Sequence, residues 1–226
     1  MKVTNLSHGS FIIDFCGKRL LIDPFFTGNP KASEIDVEAL NPDWILITHG
    51  HGDHVSDVEN IAKKSGCKII SNYEIVNWFG SKGVEGHPLN HGGKFTFDFG
   101  TVKYVNAVHT SSMPDNSYGG NPGGFVVWND KGCFYIAGDT ALTMDMQLIP
   151  LTCPALDFAI LPIGDNFTMG YEDASIAAEF IKCDNIVGCH YDTFGYIVID
   201  KDKARKSFES KNKKLFLPNI GETIEF

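Results

Sequence analysis

The sequence predicts an α/β (α+β) fold: a four-layer αββα sandwich of two mixed β-sheets flanked by helices. Three observations lead there. Hairpin-type strand pairs followed by alternating apolar strands and helical segments occur twice along the chain. No linker or low-complexity stretch separates the two runs, so residues 1–226 read as one domain. An apolar fraction of 43% and an aromatic fraction of 12% supply enough material for a layered core.

The elements follow in order. Lys2–Leu6, Phe11–Phe15 and Arg19–Ile22 are short apolar strands, the last two joined by a turn at Cys16-Gly17-Lys18. Asp23-Pro24 stops the third, because proline offers no N–H to a ladder. Ser33–Leu40 reads as a helix capped by Ser33, Trp44–Thr48 as a buried strand, and Val55–Ser65 as a helix ended by Gly66. Strand Lys68–Ile70 and a helix over Asn72–Phe79 close the first half. In the second half Lys94–Phe99 pairs with Thr101–Val108 about Gly100, and Gly124–Trp128 with Cys133–Ala137 across Asn129–Gly132. A helix over Thr143–Ile149, strand Phe158–Leu161, helix Tyr171–Ile181, strand Asn185–Cys189, helix Asp200–Ser210 and two short strands complete the chain. Met113–Gly124, rich in Gly, Asn and Pro, is the longest loop, and long loops in compact domains tend to be functional.

Composition narrows the functions. A net charge of −9 argues against a long nucleic acid as partner, since phosphate binding runs on clustered Lys and Arg. The basic stretches Lys201–Lys206 and Lys211–Lys214 are interrupted by acids and read as solvated faces. No apolar run is long enough to span a membrane, and the polar break at Asn5–Ser10 falls where a signal peptide needs its apolar stretch. The expectation is a cytoplasmic protein acting on a small molecule, with homo-oligomerisation left open. The six cysteines lack any C-x-x-C pair and read as buried, reduced thiols.

The chemistry concentrates in Thr48-His49-Gly50-His51-Gly52-Asp53-His54, where an apolar strand runs into three histidines and an aspartate just before a helix. Neutral imidazoles and carboxylates are the donors that borderline divalent metals prefer. Gly50 and Gly52 let the backbone fold tightly enough for alternate side chains to converge. His49 and His51 point to one metal, and Asp53 and His54, around the bend, to a second. His109, Asp139 and His190 each follow an apolar strand, at the end where an α/β-type sheet opens its site.

This pattern resembles the metallo-β-lactamase superfamily, whose motif H-x-H-x-D-H is followed by a downstream His, Asp and His. The resemblance implies that His49, His51 and His109 hold one metal, that Asp53, His54 and His190 hold a second, and that Asp139 bridges them. It covers essentially the whole chain, since Asp23 fits the superfamily's early Asp. Within the superfamily, Ser7-His8-Gly9-Ser10-Phe11, Leu21-Ile22-Asp23-Pro24-Phe25, Val108-His109-Thr110-Ser111-Ser112, Leu161–Gly170 and His190-Tyr191-Asp192-Thr193-Phe194 are similar to the metal-dependent hydrolases related to ascorbate-6-phosphate lactonase. It implies the αββα fold and hydrolase chemistry, and names no substrate.

The expected reaction is attack of a metal-bound hydroxide on an ester, lactone or phosphoester, run by two divalent ions about 3.5–4 Å apart. Asp53 is the candidate for proton handling as well as ligation. Five His and two Asp suit zinc, carboxylate bridging also suits manganese, and iron and nickel remain admissible. A phosphodiesterase or nuclease on the same site and a non-enzymatic metal-binding protein are the competing readings. His8 and Asp23 are candidates for orienting the metal site, and Asp165, Asn166, Thr168 and Tyr191, with Thr193, for contacting a small polar substrate. His87 and His91 are assigned to an exposed Gly-rich loop, away from the metals.

Overall fold

The computed structural model describes residues Met1–Phe226. Two seven-stranded mixed sheets lie face to face, each built as a run of antiparallel strands followed by parallel ones. The first contains β1 (Lys2–Ser7), β2 (Ser10–Phe15), β3 (Lys18–Ile22), β4 (Trp44–Leu46), β5 (Lys68–Asn72) and β6 (Gly86–Leu89) in spatial order, with β14 (Thr223–Glu225) outside β1. The second runs from β7 (Lys94–Phe97) through β8 (Gly100–Asn106), β9 (Gly123–Asn129), β10 (Gly132–Ile136), β11 (Phe158–Pro162) and β12 (Asn185–Cys189) to β13 (Lys214–Phe216). Pairing is antiparallel from β1 to β3 and parallel from β3 to β6. It is likewise antiparallel from β7 to β10 and parallel from β10 to β13. The two halves therefore repeat one plan.

Strand alternation sorts the apolar residues into three layers. Phe11, Ile13 and Phe15 of β2 point into the space between the sheets, where Phe134, Phe158 and Ile160 of the second sheet meet them. Ile12 and Leu21 point the other way, under α2 (Val58–Ser65) and α3 (Tyr73–Gly80). Ala159 and Leu161 of β11 face α5 (Tyr171–Phe180) and α6 (Lys201–Glu209). Three apolar layers between four structural layers give the αββα sandwich.

Local signals set most boundaries. Asn72 caps α3 through Ile75 N–H (2.9 Å), Asp200 caps α6, and Gly66 ends α2 in the left-handed region at φ 70°. Five expectations are corrected. Over Ser33–Leu40 only a 3₁₀ turn forms at Val37–Ala39, capped by Asp36 and not by Ser33. The helix expected over Val55–Ser65 is two, α1 (Gly52–Val55) and α2, separated at Asp57. The buried Asp57 carboxylate accepts hydrogen bonds from Phe26 N–H (2.6 Å), Thr27 N–H (2.9 Å), Thr27 Oγ1–H (2.6 Å) and Ser56 Oγ–H (2.6 Å). It thereby pins the segment after Pro24 to the helix pair. His87 lies not in a loop but on the edge strand β6, with its ring on Phe95 (4.2 Å between centroids); His91 does lie in the turn after β6, but it is half-buried, donating from Nε2 to Pro122 O (2.9 Å). Cys16 is exposed at its hairpin corner, while Cys67, Cys133, Cys183 and Cys189 are buried. Over Thr143–Ile149 a 3₁₀ turn (Met144–Leu148) runs into the short α4 (Ile149–Thr152). No helix is long and apolar enough to cross a membrane.

Candidate metal centre

The motif residues converge where strands of both sheets end. His49 follows β4, His51 precedes α1, and Asp53 and His54 sit in α1 itself. His109 lies beyond β8, Asp139 beyond β10 and His190 beyond β12. Two glycines make the approach possible. A Cβ on Gly50 would lie 2.6 Å from Met113 Sδ, and one on Gly138, at φ 63°, would lie 2.6 Å from Thr48 Cβ. Gly52 meets no such crowding, so only Gly50 of the motif pair is required by space. The Met113–Gly124 loop supports this region from behind. Ser111 Oγ, just ahead of the loop, accepts from Gly50 N–H (3.0 Å) and donates to Gly119 O (2.8 Å).

One carboxylate oxygen lies at the centre. Asp139 Oδ2 is 3.0 Å from His190 Nε2, 3.4 Å from His54 Nε2, 3.5 Å from His109 Nε2 and 3.9 Å from His49 Nε2. On one side of it His49 Nε2 approaches His51 Nδ1 (3.1 Å). On the other, Asp53 Oδ2 lies 3.2 Å from His8 Nε2 and 3.9 Å from His190 Nε2. Donor atoms within 4.8 Å of one another form three overlapping groups that could hold an ion: His49, His51 and His109; His8, Asp53, His54 and His190; and Asp23, His49 and His54.

The surrounding hydrogen bonds decide where the imidazole protons sit. Thr48 Oγ1 donates to Asp23 Oδ2 (2.6 Å) and must therefore accept from His49 Nδ1–H (3.0 Å). His54 Nδ1–H donates directly to the same Asp23 oxygen (2.9 Å), and Thr48 N–H to the other (2.8 Å). Asp23 thus holds two histidines with their Nε2 lone pairs turned inward, the arrangement that prepares imidazole for a metal. Its own oxygens are consumed by this task. His54 Nε2 is buried without a hydrogen-bond partner, an orphan that a bound cation would satisfy. The donor set, imidazoles with two carboxylates, fits a borderline divalent ion.

Electrostatics agree with that fit. Burial alone would raise the Asp139 carboxyl, but the imidazoles of His190 and His54 hold it well below the usual range. Burial would lower His190, yet Asp139 and Asp53 push it up to about 9, and Asp139 and Asp23 likewise raise His54. Burial leads in lowering His49, His51 and His109. A cation bound among these donors would have to displace the protons that the raised His54 and His190 carry. His8 is pulled down by burial to about 4 and stays neutral. Thr193 Oγ1–H donates to its Nδ1 (2.9 Å), leaving Nε2–H to donate to Asp53. Burial would raise Asp53, but the nearby His190 and the hydrogen bond from His8 lower it and keep it ionised.

The polar residues expected around a substrate are placed elsewhere. Asp165 and Asn166 occupy successive left-handed positions (φ 60° and 56°) and line a separate cavity with Tyr196 and Asp200. Tyr191 faces another cavity beyond His8, under Lys201 Nζ, because His190 at φ 55° turns the chain away. Thr168 Oγ1 bonds back to Met169 O (3.3 Å). The cavity over the cluster, about 280 Å³, is walled instead by Phe167, Phe194 and Thr110. The two phenylalanines lie in segments that carry the family resemblance, but nothing in the sequence marked them as cavity wall, since aromatic residues read first as core. Thr193 was legible only as a polar neighbour of His190.

Comparison with known proteins gives the family. Residues 2–190 match the family model described as the β-lactamase superfamily domain. The chain is 57% identical over 225 residues to a UPF0173 metal-dependent hydrolase of Flavobacterium johnsoniae and 56% identical over 226 residues to one of Christiangramia forsetii, covering 100% of each partner and of itself. Among solved structures, Igni18, a metallo hydrolase of the archaeon Ignicoccus hospitalis, superposes with a TM-score of 0.89 at 32% identity, over 100% of this chain and 98% of that one. The chain belongs to the metallo-β-lactamase superfamily, in its UPF0173 metal-dependent hydrolase family.

Proposed function

We propose that this protein is a dinuclear metal-dependent hydrolase that cleaves an ester, lactone or phosphoester bond in a small-molecule substrate. His49, His51 and His109 would hold one divalent ion, Asp53, His54 and His190 a second, with Asp139 shared. The observation that carries this reading is Asp139 Oδ2, faced by the Nε2 atoms of four histidines drawn from both sheets. A carboxylate so placed is the group two cations would share.

Bound divalent ions supply Lewis acidity toward the substrate oxygen and lower the pKa of water to near neutrality. The chain's own residues prepare the site. Asp23 and Thr48 fix the protons of His54 and His49 on the outward nitrogens. His8, backed by Thr193 and by the ring of Phe25 at 5.6 Å, holds Asp53 through Nε2–H. Asp53 is kept ionised, which suits ligation more than donation of a proton to a leaving group.

Purified protein reconstituted separately with zinc and with manganese should bind close to two ions per chain. Asp139→Asn keeps the side chain's size and removes the shared charge, so metal content and hydrolysis of an ester, lactone and phosphodiester panel should fall together while circular dichroism is unchanged. Saturation of the wild type at one ion, or full activity with two ions in the Asp139 variant, would refute the assignment.

A further inference from the structure

The cavity above the cluster has an uneven lining. Its polar residues are His51, Asp53, His109, Thr110, Asp139 and His190; the remaining wall is Phe167 and Phe194. Neither lysine nor arginine reaches it. A lysine-lined cavity lies on the far side of His8, where Lys201 pairs with Asp192 at 3.0 Å.

The two phenylalanines are held differently. Phe194 is half-buried and fixed, its ring 5.5 Å from that of His8 and 6.3 Å from that of Phe25. Phe167 is 52% exposed. It follows the two left-handed residues Asp165 and Asn166, and its N–H donates back to Asp165 O (2.6 Å), so a tight turn lifts the ring over the cavity mouth. Its aromatic neighbour is Tyr196, edge-on at 6.2 Å and 78% exposed. Large apolar rings left in water beside a cavity are unfavourable unless something apolar covers them.

We propose that Phe167 and Phe194 grip a neutral aryl or alkyl group of the substrate, so that the preferred substrate carries its only charge, if any, at the scissile centre. This deepens the hydrolase reading above and rests on it. Two cations would accommodate one anionic group at the reacting bond. A second anion further out would meet the aromatic faces of Phe167 and Phe194 and neither lysine nor arginine. A planar apolar group would instead fill a space at the small end of ligand cavities, against rings that gain by stacking.

The test uses the metal-loaded full chain and two matched pairs: phenyl and 4-sulfophenyl acetate, and methyl phenyl and methyl 4-sulfophenyl phosphate. Rates are normalised to alkaline hydrolysis. Within the pair that is cleaved, kcat/KM should favour the neutral aryl group about tenfold, the scale of one aromatic contact. Phe167→Ala should erase that preference by raising KM for the neutral substrate, Phe167→Leu should keep part of it, and metal content should be unchanged in both. Saturation-transfer NMR with anisole, an inert probe, should show binding to the wild type and loss in Phe167→Ala. Equal or reversed preference in a hydrolysing wild type, or no anisole contact, would overturn the proposal. Hydrolysis of none of the four by protein carrying two ions, with anisole still bound, would overturn the ester and phosphoester reading and leave the aromatic grip standing.

Discussion

Replacing Asp23 by Asn tests whether metal affinity is set by proton placement outside the donor cluster. Asp23 is 1% exposed and accepts three hydrogen bonds: from Thr48 N–H on one oxygen, and from Thr48 Oγ1–H and His54 Nδ1–H on the other. Asn fills the same volume with one acceptor oxygen. With that oxygen kept on Thr48 N–H, the new NH₂ faces two groups that were donors. His54 can meet it only by accepting at Nδ1, which moves its proton to Nε2, the atom 3.4 Å from Asp139. Thr48 must also turn its hydroxyl proton away from residue 23, toward His49 Nδ1, which displaces the His49 proton to Nε2 in turn. Both proposed ion sites then lose a lone pair, the His54 site directly and the His49 site through Thr48.

Loss of one such outer partner costs about 10–100-fold in metal affinity, or about 1.4–2.8 kcal/mol. Chelator-competition titration with zinc and with manganese should show this weakening, larger for the site containing His54. Thermal unfolding of the metal-free variant checks that the fold persists. An Asp23→Asn protein that takes up two ions with wild-type constants would show that Asp23 does not set the His54 tautomer, and the argument from hydrogen-bond direction would fail.

Three further outcomes follow from particular contacts. Asp57→Asn should cost about 1–3 kcal/mol in urea unfolding, because a buried acceptor of four donors becomes a poorer one. Burial would raise the Asp57 carboxyl, but those donors, Ser56 and Thr27 foremost, lower it. The stabilisation is therefore full above the unfolded carboxylate range near about 3.9 and is lost as pH falls through the lowered folded value, so the gap to wild type should close in acid; a gap constant with pH would contradict this. His87→Ala and His91→Ala should leave metal content intact yet each lose about 1 kcal/mol in thermal stability, from ring packing on Phe95 and from the bond to Pro122 O; loss of metal in either would put the β6 edge near the ions. All six cysteines should react with a thiol reagent in denaturant without prior reduction, and Cys16 first in the native state; a disulfide in thiol-trapped protein would contradict it.

The histidine cluster was legible because its chemistry is local. Four donors lie within six residues, and His109, Asp139 and His190 each follow an apolar strand long enough to be read alone. What escaped depends on tertiary partners. The helix break at Asp57 follows from a carboxylate claimed by Phe26 and Thr27, a contact invisible in a helical periodicity that runs on through it. β6 was hidden because Gly86-His87-Pro88-Leu89 lacks β-branched residues and contains proline, which an edge strand tolerates. Asp165, Asn166 and Tyr191 were read as substrate contacts by their nearness in sequence to the cluster. The left-handed backbone at Asp165, Asn166 and His190 sends them to other cavities and brings Phe167 forward.

The repeated plan of the two halves bears on how the site is made. His49 and His54 come from the end of the first parallel run, His109 and His190 from the second sheet, and all four face Asp139 from the second. Neither half holds a complete donor set for either ion. The halves are fastened next to the cluster by backbone bonds that cross between sheets: His190 N–H to His8 O (3.0 Å) and Gly123 N–H to Thr48 O (3.2 Å). Tyr104 Oη donates to the same Thr48 carbonyl (2.8 Å). Thr48 therefore meets the second sheet through its carbonyl while its hydroxyl and amide serve Asp23. Binding at such a site is linked to the docking of the sheets, because an ion that favours the assembled donors stabilises the whole sandwich by the same free energy.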